Sequence, residues 1–267
     1  MNLIKPSYEI MSKTLAAELL IEQAGRVCYK SEEAITPESH KIFIKARIRG
    51  GHESIIEHAS ITVKFICDRG VTHELVRHRL VSYSQESTRY CNYSGGVTFI
   101  IPPWVQIPPY EYDIGWRRIN TSPPIFGVIT AIDRKRCELT IASDDPTSER
   151  WFWNMAMAER DYIALLKDKW SPQQARSVLP NSLKTEIIAT ANIREWRHIL
   201  NLRTSRAAHP QMQELMRPLL IQLSGEHPVF FRDLWEKLQK TLRMEEEDFE
   251  EVEKVDRSKI GTGLDVK

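Results

Sequence analysis

Ile61, Val63 and Phe65 alternate with Thr62 and Lys64 between Ala59 and Cys67, the period of two that turns one face of a β-strand toward a core and leaves the other wet. Most other patterned segments repeat at helical spacing. Residues 13 to 28 carry Leu15, Leu19, Leu20 and Ala24 at such spacing, and Pro37 to Ile48 predicts a second helix that stops at Gly50-Gly51. Met212, Leu215, Met216, Leu219, Leu220 and Leu223 form the cleanest apolar stripe in the chain, and it is predicted core. A strand with one wet face among amphipathic helices points to the α+β class.

The remaining segments fill in around these. Val71 to Arg79 reads as helix, Leu80 to Gly96 as a polar, irregular loop, and Val97 to Ile101 as a short strand cut off by Pro102-Pro103. Residues 105 to 148 hold Pro108, Pro109, Pro123, Pro124 and Pro146 with no sustained period, so they read as an insertion containing a hairpin around Val128 to Ile141. Helices are predicted for Glu149 to Lys169, capped at Thr147 or Ser148, and for Pro172 to Val178, capped by Ser171 and stopped by Pro180. Lys184 to Ala191 fits strand or helix, Asn192 to Arg203 is helical by pattern, and the acidic stretch after Met244 fits a solvated helix end or disorder.

Charge narrows the ligand class. The chain has 37 basic and 36 acidic residues, but the part from Arg243 onward holds nine acids and five bases, which leaves 32 minus 27, or +5, over residues 1 to 242. That balance favours small anionic ligands over a nucleic-acid groove, and no nucleic-acid partner is expected. No stretch approaches the roughly 20 apolar residues of a membrane helix, and MNLIKPSYEI has no apolar signal core, so a cytoplasmic protein with no membrane partner is expected. Cys28, Cys67, Cys91 and Cys137 lie far apart, which fits reduced thiols. His52 and His58 are six residues apart and leave a helix on different faces, so no metal is expected there. The chain lacks a dinucleotide fingerprint, a P-loop and a G-x-S-x-G elbow.

The densest polar cluster runs from Arg77-His78-Arg79 through Ser82, Ser84, Ser87 and Thr88 to Arg89-Tyr90. Guanidinium groups bind phosphate oxygens bidentately and hydroxyls complete the shell, so this concentration of donors amid few acids fits a phosphate-bearing ligand better than a merely solvated loop. A second cluster lies in Asn192 to Arg203, where Arg194, His198 and Asn201 at i, i+4 and i+7 form one polar stripe while Ile199, Leu200 and Arg203 turn elsewhere. Periodicity alone leaves this helix evenly between a ligand face and an exposed amphipathic one. Spacing gives Arg176 no function.

These residues resemble the flavin-dependent thymidylate synthases, whose signature R-H-R-x-x-S-x-x-x-x-S-x-R is matched at every fixed position by Arg77 through Arg89. Gly51-His52-Glu53-Ser54 with Glu57-His58, Arg26-Val27-Cys28-Tyr29, and Asn192-x-Arg194 with Leu202-Arg203 are similar to further segments of that family, and the likeness covers about residues 1 to 104 and 149 to 235. The resemblance implies a mostly antiparallel sheet flanked by helices. It also implies a homotetramer with active sites shared between subunits, and one domain over 1 to 242 with an insertion at about 105 to 148 and an acidic tail over 243 to 267. The implied reaction is that of a methyltransferase making dTMP from dUMP. Methylenetetrahydrofolate donates the carbon, NADPH-reduced FAD supplies the hydride, and tetrahydrofolate is released.

By motif position the resemblance assigns FAD to Ser54, Arg77, His78, Arg79, Asn192, Arg194 and His198, with Gln85 between flavin and nucleotide. It assigns dUMP to Glu74, Leu75, Val76 and Arg77, to Gln85, Glu86, Ser87, Thr88 and Arg89, and to Arg176 and Arg203. His198 stands where some relatives carry Asn, and Gln85 where others carry an acid. Arg203 is the catalytic candidate, because a cation beside the uracil stabilises the charge that builds at O4 and N3 as C5 becomes nucleophilic. The other route to dTMP uses a cysteine in Pro-Cys-His, which this chain lacks; Cys91 is followed by Asn92 and reads as structural. An alternative from another class is a non-catalytic nucleotide- or RNA-binding protein that uses the same basic loop with Tyr83, Tyr90 and Tyr93.

Overall fold

A computed structural model describes residues 1–119, 125–133 and 145–260, and the side chains of 1–112 and 145–246. The chain divides into two compact units, one of Met1–Lys13 with Ile61–Ala191 and one of Thr14–Ser60 with the chain from Asn192 onward. Among the described residues no helix is long and apolar enough to cross a membrane.

In the first unit, β1 (Asn2–Ile4) pairs in parallel with β5 (Thr98–Ile100). A four-stranded sheet takes the order β2 (Ser7–Lys13), β3 (Ser60–Asp68), β8 (Lys184–Asn192), β4 (Ser82–Gln85), with β2–β3 and β4–β8 antiparallel. The alternation read in β3 is borne out: Ile61, Val63 and Phe65 are buried between half-buried Thr62 and Lys64. Segment 184–192 resolves as strand, since Thr185, Ile187, Ala189 and Ala191 point inward at period two. Helix α3 (Arg69–Leu75) joins β3 to β4. Helix α4 (Pro146–Lys167) adds Phe152, Met155 and Tyr162 to the cluster of Leu3, Val97, Phe99 and Leu183.

Several boundaries differ from the pattern reading. The cap of α4 is Asp145, whose carboxylate accepts from the amides of Thr147 and Ser148 at 3.0 and 3.2 Å, so the two expected caps are its donors. Pro172 to Val178 splits into α5 (Pro172–Ala175), with Ser171 and Gln174 forming a capping box, and a 3-10 turn over Arg176–Val178. The polar loop contains β4, which hydrophobic periodicity cannot detect because its alternation is of exposed Ser82 and Ser84 with half-buried Tyr83 and Gln85. The hairpin pairs β6 (Tyr112–Ile119) with β7 (Ile125–Asp133), and the latter part of the expected Val128 to Ile141 hairpin lies outside the described residues.

The second unit is helical: α1 (Ala17–Val27), α2 (Ser39–Arg49), a 3-10 turn at Glu53–His58, α6 (Ile193–Arg203), α7 (Pro210–Glu226) and α8 (Pro228–Ile260). All six residues of the predicted α7 stripe are buried. The acidic stretch continues α8 through Ile260, and its last residues lie outside the described ones. Helix α1 corrects the reading of residues 13 to 28. Lys13 ends a strand, Ala16 turns through a left-handed φ of 48°, and the buried face is Ala17, Ile21, Glu22 and Gly25, which leaves Leu15, Leu19 and Leu20 exposed. Gly25 sets the α1–α2 approach, because a Cβ there would meet the Phe43 ring at 2.6 Å.

Candidate active site

The signature begins where α3 ends. Asp68 caps the helix by accepting from the Val71 amide at 2.8 Å, and the helix stops at Leu75, earlier than the Arg79 predicted by pattern. Tyr83 on β4 braces this end, its hydroxyl donating to the Leu75 carbonyl at 2.5 Å and to the His78 carbonyl at 3.3 Å. The amides of Arg77 and His78 donate to the Glu74 and Leu75 carbonyls at 3.2 and 3.1 Å, so the helix end tightens to i→i+3 bonds and Arg77, His78 and Arg79 leave it as a turn. The imidazole of His78 is buried, whereas Arg77 and Arg79 are exposed. Ahead of them Glu74 is half-buried, Leu75 buried and Val76 exposed.

Strand β4 carries the chain across the sheet to Gln85, whose Nε2 donates to Thr72 Oγ1 at 3.0 Å and Thr185 Oγ1 at 3.3 Å. Both hydroxyls are buried, so the amide is fixed between α3 and β8. Glu86 follows. Its carboxylate accepts from Tyr93 Oη at 2.8 Å and from Lys184 Nζ at 3.1 Å, and Lys184 also donates to Glu186 at 2.6 Å. Burial would lower the Lys184 pKa, but the hydrogen bonds to Glu186 and Glu86 outweigh it and the ammonium is held above its ordinary value. Burial, together with the hydrogen bond to Glu86, pushes the Tyr93 phenol up.

Beyond Glu86 the chain makes a tight turn, with the amides of Tyr90 and Cys91 donating to the Ser87 carbonyl at 3.2 and 2.9 Å. Buried Thr88 accepts from Arg176 Nη1 at 2.8 Å, so two residues 88 positions apart that were both assigned to the nucleotide meet. Arg89 is exposed, its guanidinium 5.5 Å from the centroid of the Tyr90 ring. Among the described residues, no carboxylate pairs with Arg77, Arg79, Arg89 or Arg176, and the first unit therefore carries four cations, three in the signature and one meeting its Thr88, with no internal counter-charge. Such a surface selects an external anion.

The residues assigned from the second unit are in a different condition. Ser54 is exposed on the 3-10 turn Glu53–His58, and Asn192 is the N-cap of α6, its Oδ1 accepting from the Glu195 amide at 2.8 Å. Arg194 is exposed but donates to Glu57 at 2.6 Å and lies 3.7 Å from Glu53. The polar stripe is present, with Arg194 and His198 exposed and Asn201 half-buried, while Ile199 and Leu200 are buried. Arg203 is half-buried at the last turn of the helix. Pattern reading missed Arg197, which is buried and grips Asp233 with both Nη atoms at 2.8 and 2.7 Å. It also missed Glu195, whose carboxyl burial pushes up. Tyr93 and Lys184, which hold Glu86, gave no spacing signal, although the Lys184/Glu186 alternation on β8 marks one polar sheet face.

The chain matches the family described as thymidylate synthase complementing protein over residues 9–229. It is 33% identical over 217 residues to a flavin-dependent thymidylate synthase of Mycobacterium avium, covering 80% of this chain and 78% of that protein. It is 30% identical over 221 residues to the corresponding protein of Corynebacterium glutamicum, covering 81% and 79% of the two chains. The crystal structure of the UMP/dUMP methylase PolB from Streptomyces cacaoi bound with 5-Br dUMP has the same fold. Its TM-score is 0.66 at 24% identity, over 87% of this chain and 96% of that one.

Proposed function

Because the chain belongs to the flavin-dependent thymidylate synthase family, an enzyme family of methyltransferases, we propose that it converts dUMP to dTMP with methylenetetrahydrofolate as carbon donor and NADPH as reductant. The observation that carries this reading is the signature segment, in which Arg77, Arg79 and Arg89 are exposed and Arg176 meets Thr88, none of the four with a carboxylate partner among the described residues. Gln85, Ser87, Thr88 and Arg89, with Arg176 and the turn Glu74 to Val76, receive the nucleotide's phosphate and sugar, and Glu86 stands within the same segment. Arg203 holds the charge that develops on uracil O4 and N3, so that C5 can attack the one-carbon unit.

The donor set also fits FAD, since exposed, unpaired Arg77 and Arg79 suit a pyrophosphate. Ser54, His78, Asn192, Arg194 and His198 complete the proposed flavin contacts. Bound there, the flavin supplies the hydride that reduces the transferred carbon to a methyl group. Residues 1 to 242 form the catalytic domain, 105 to 148 an insertion and 243 to 267 a tail. The active protein is a homotetramer with active sites shared between subunits, and the exposed Leu15, Leu19 and Leu20 supply apolar surface for such assembly.

The test is anaerobic. Flavin-loaded, reduced protein is mixed with dUMP and methylenetetrahydrofolate; flavin reoxidation with thymidylate as product is expected. Reoxidation without thymidylate, or salt-sensitive RNA binding by a protein that retains no flavin, would overturn the reading.

A further inference from the structure

Glu86 sits next to the residues proposed to take a phosphate, where a free carboxylate would repel it. Its two oxygens are both engaged. Oε1 accepts from Tyr93 Oη at 2.8 Å, Oε2 from Lys184 Nζ at 3.1 Å, and its amide donates to the Glu186 carbonyl at 2.9 Å. Lys184 is held in turn by Glu186 at 2.6 Å, and Glu186 by Lys64 at 2.5 Å, so a chain of alternating charges crosses β3 and β8 and ends on Glu86. At the other end of the segment, the Tyr93 ring lies 5.9 Å from that of Tyr162 on α4, and its amide donates to the Tyr162 hydroxyl at 3.3 Å. The Glu86–Tyr93 bond therefore ties the residue before the turn to the residue after it, and both ends are anchored to rigid elements.

We infer that Glu86 is a positioning residue and not a nucleotide contact: with Lys184 and Tyr93 it forms a clamp that closes residues 87–92 into an anion-receiving turn, and the Lys184 charge cancels the acid's repulsion of the bound phosphate. The inference rests on the proposed function and assigns Glu86 a different part from the one its motif position implies. The clamp presents Ser87, Thr88 and Arg89 in one arrangement before ligand arrives, which lowers the ordering cost of binding. Removing Lys184 alone leaves a half-buried carboxylate unpaired beside the ligand, whereas neutralising both partners removes the repulsion and keeps an oxygen for Tyr93.

The test measures dUMP affinity by calorimetry, amide hydrogen exchange across 87–92 in ligand-free protein, and the melting temperature as a folding control. The variants are Lys184→Met, Tyr93→Phe, Glu86→Gln and Glu86→Gln/Lys184→Met. Lys184→Met is expected to weaken dUMP about tenfold and Tyr93→Phe about threefold, each with faster exchange in the turn. The double variant should return to within about threefold of the parent, with exchange restored. A double variant no tighter than Lys184→Met would mean that Lys184 itself touches the nucleotide. A Glu86→Gln loss larger than that of Lys184→Met would mean that Glu86 does, and either result overturns the clamp. Failure of the parent protein to bind dUMP would defeat the functional reading instead; exchange across 87–92 then decides the clamp, which unchanged protection in Lys184→Met and Tyr93→Phe would refute.

Discussion

The signature turn and helix α6 are both rich in arginine, yet electrostatically they are opposites. Along the signature, Arg77, Arg79 and Arg89 have no carboxylate partner among the described residues, and Arg176 reaches only a hydroxyl. Along α6, Arg194 is matched by Glu57 and Glu53, and Arg197 by Asp233. The first arrangement is poised for an anion from outside; the second already holds its own. An arginine in a motif therefore describes a ligand site only once the acids that fold around it are known.

The largest expected effect lies at the far end of α6, at Arg203. Arg203→Ala should lower thymidylate formation by about 10²-fold or more while flavin absorbance is retained, measured by single-turnover product analysis. Unchanged turnover would remove Arg203 from the chemistry. Next, Arg79→Ala should weaken flavin binding about tenfold, and Arg194→Ala less than about threefold, since only the first loses a cation with no protein partner. Equal losses in flavin titrations would break the contrast. Glu57→Gln sharpens it: released from its ion pair, Arg194 should tighten flavin by up to about fivefold, the ceiling set by an exposed salt bridge. No change would place Arg194 outside the flavin site.

The smallest effect is in pH dependence, where the two regions carry opposite signs. Hydrogen bonds from Lys184 and Lys64 hold the Glu186 carboxyl below its ordinary value of 4.5. The unfolded chain then binds more protons between the two values, so this stabilisation is present above 4.5 and lost as pH falls through the depressed value. Burial pushes Glu195 above its ordinary 4.5. The folded state binds more protons there, and stability falls as pH rises from 4.5 through the raised value. Urea unfolding against pH should show a shallower acid-side decline in Glu186→Gln and a shallower decline above 4.5 in Glu195→Gln. Identical profiles for the two variants would contradict the assignment.

Much of this was legible in the residues. The period of β3 and the α7 stripe are dominated by apolar burial, which sequence displays directly, and the signature identified the family before any geometry. What escaped were features made by partners distant along the chain. β4 is a polar edge strand defined by pairing with residues some 100 positions later, and the early end of α3 is braced by the Tyr83 hydroxyl from that strand. Leu15, Leu19 and Leu20 share helical spacing, yet α1 buries Ile21 and Glu22 instead, because Arg26 and Ser39 satisfy the Glu22 carboxylate at 2.9 and 2.8 Å and let it enter the interior. The engagement of Arg194 and Arg197 belongs to the same class, since Glu57 and Asp233 lie far from them in sequence.

The most direct measurement is a cycle between Arg89 and the nucleotide's phosphate, with dUMP and deoxyuridine each titrated into the parent protein and into Arg89→Ala. If the unpaired cations of the signature turn receive the phosphate, the parent should prefer dUMP strongly, and Arg89→Ala should shrink that preference by about 10- to 100-fold while hardly changing deoxyuridine binding. A preference that survives the substitution intact would contradict the account.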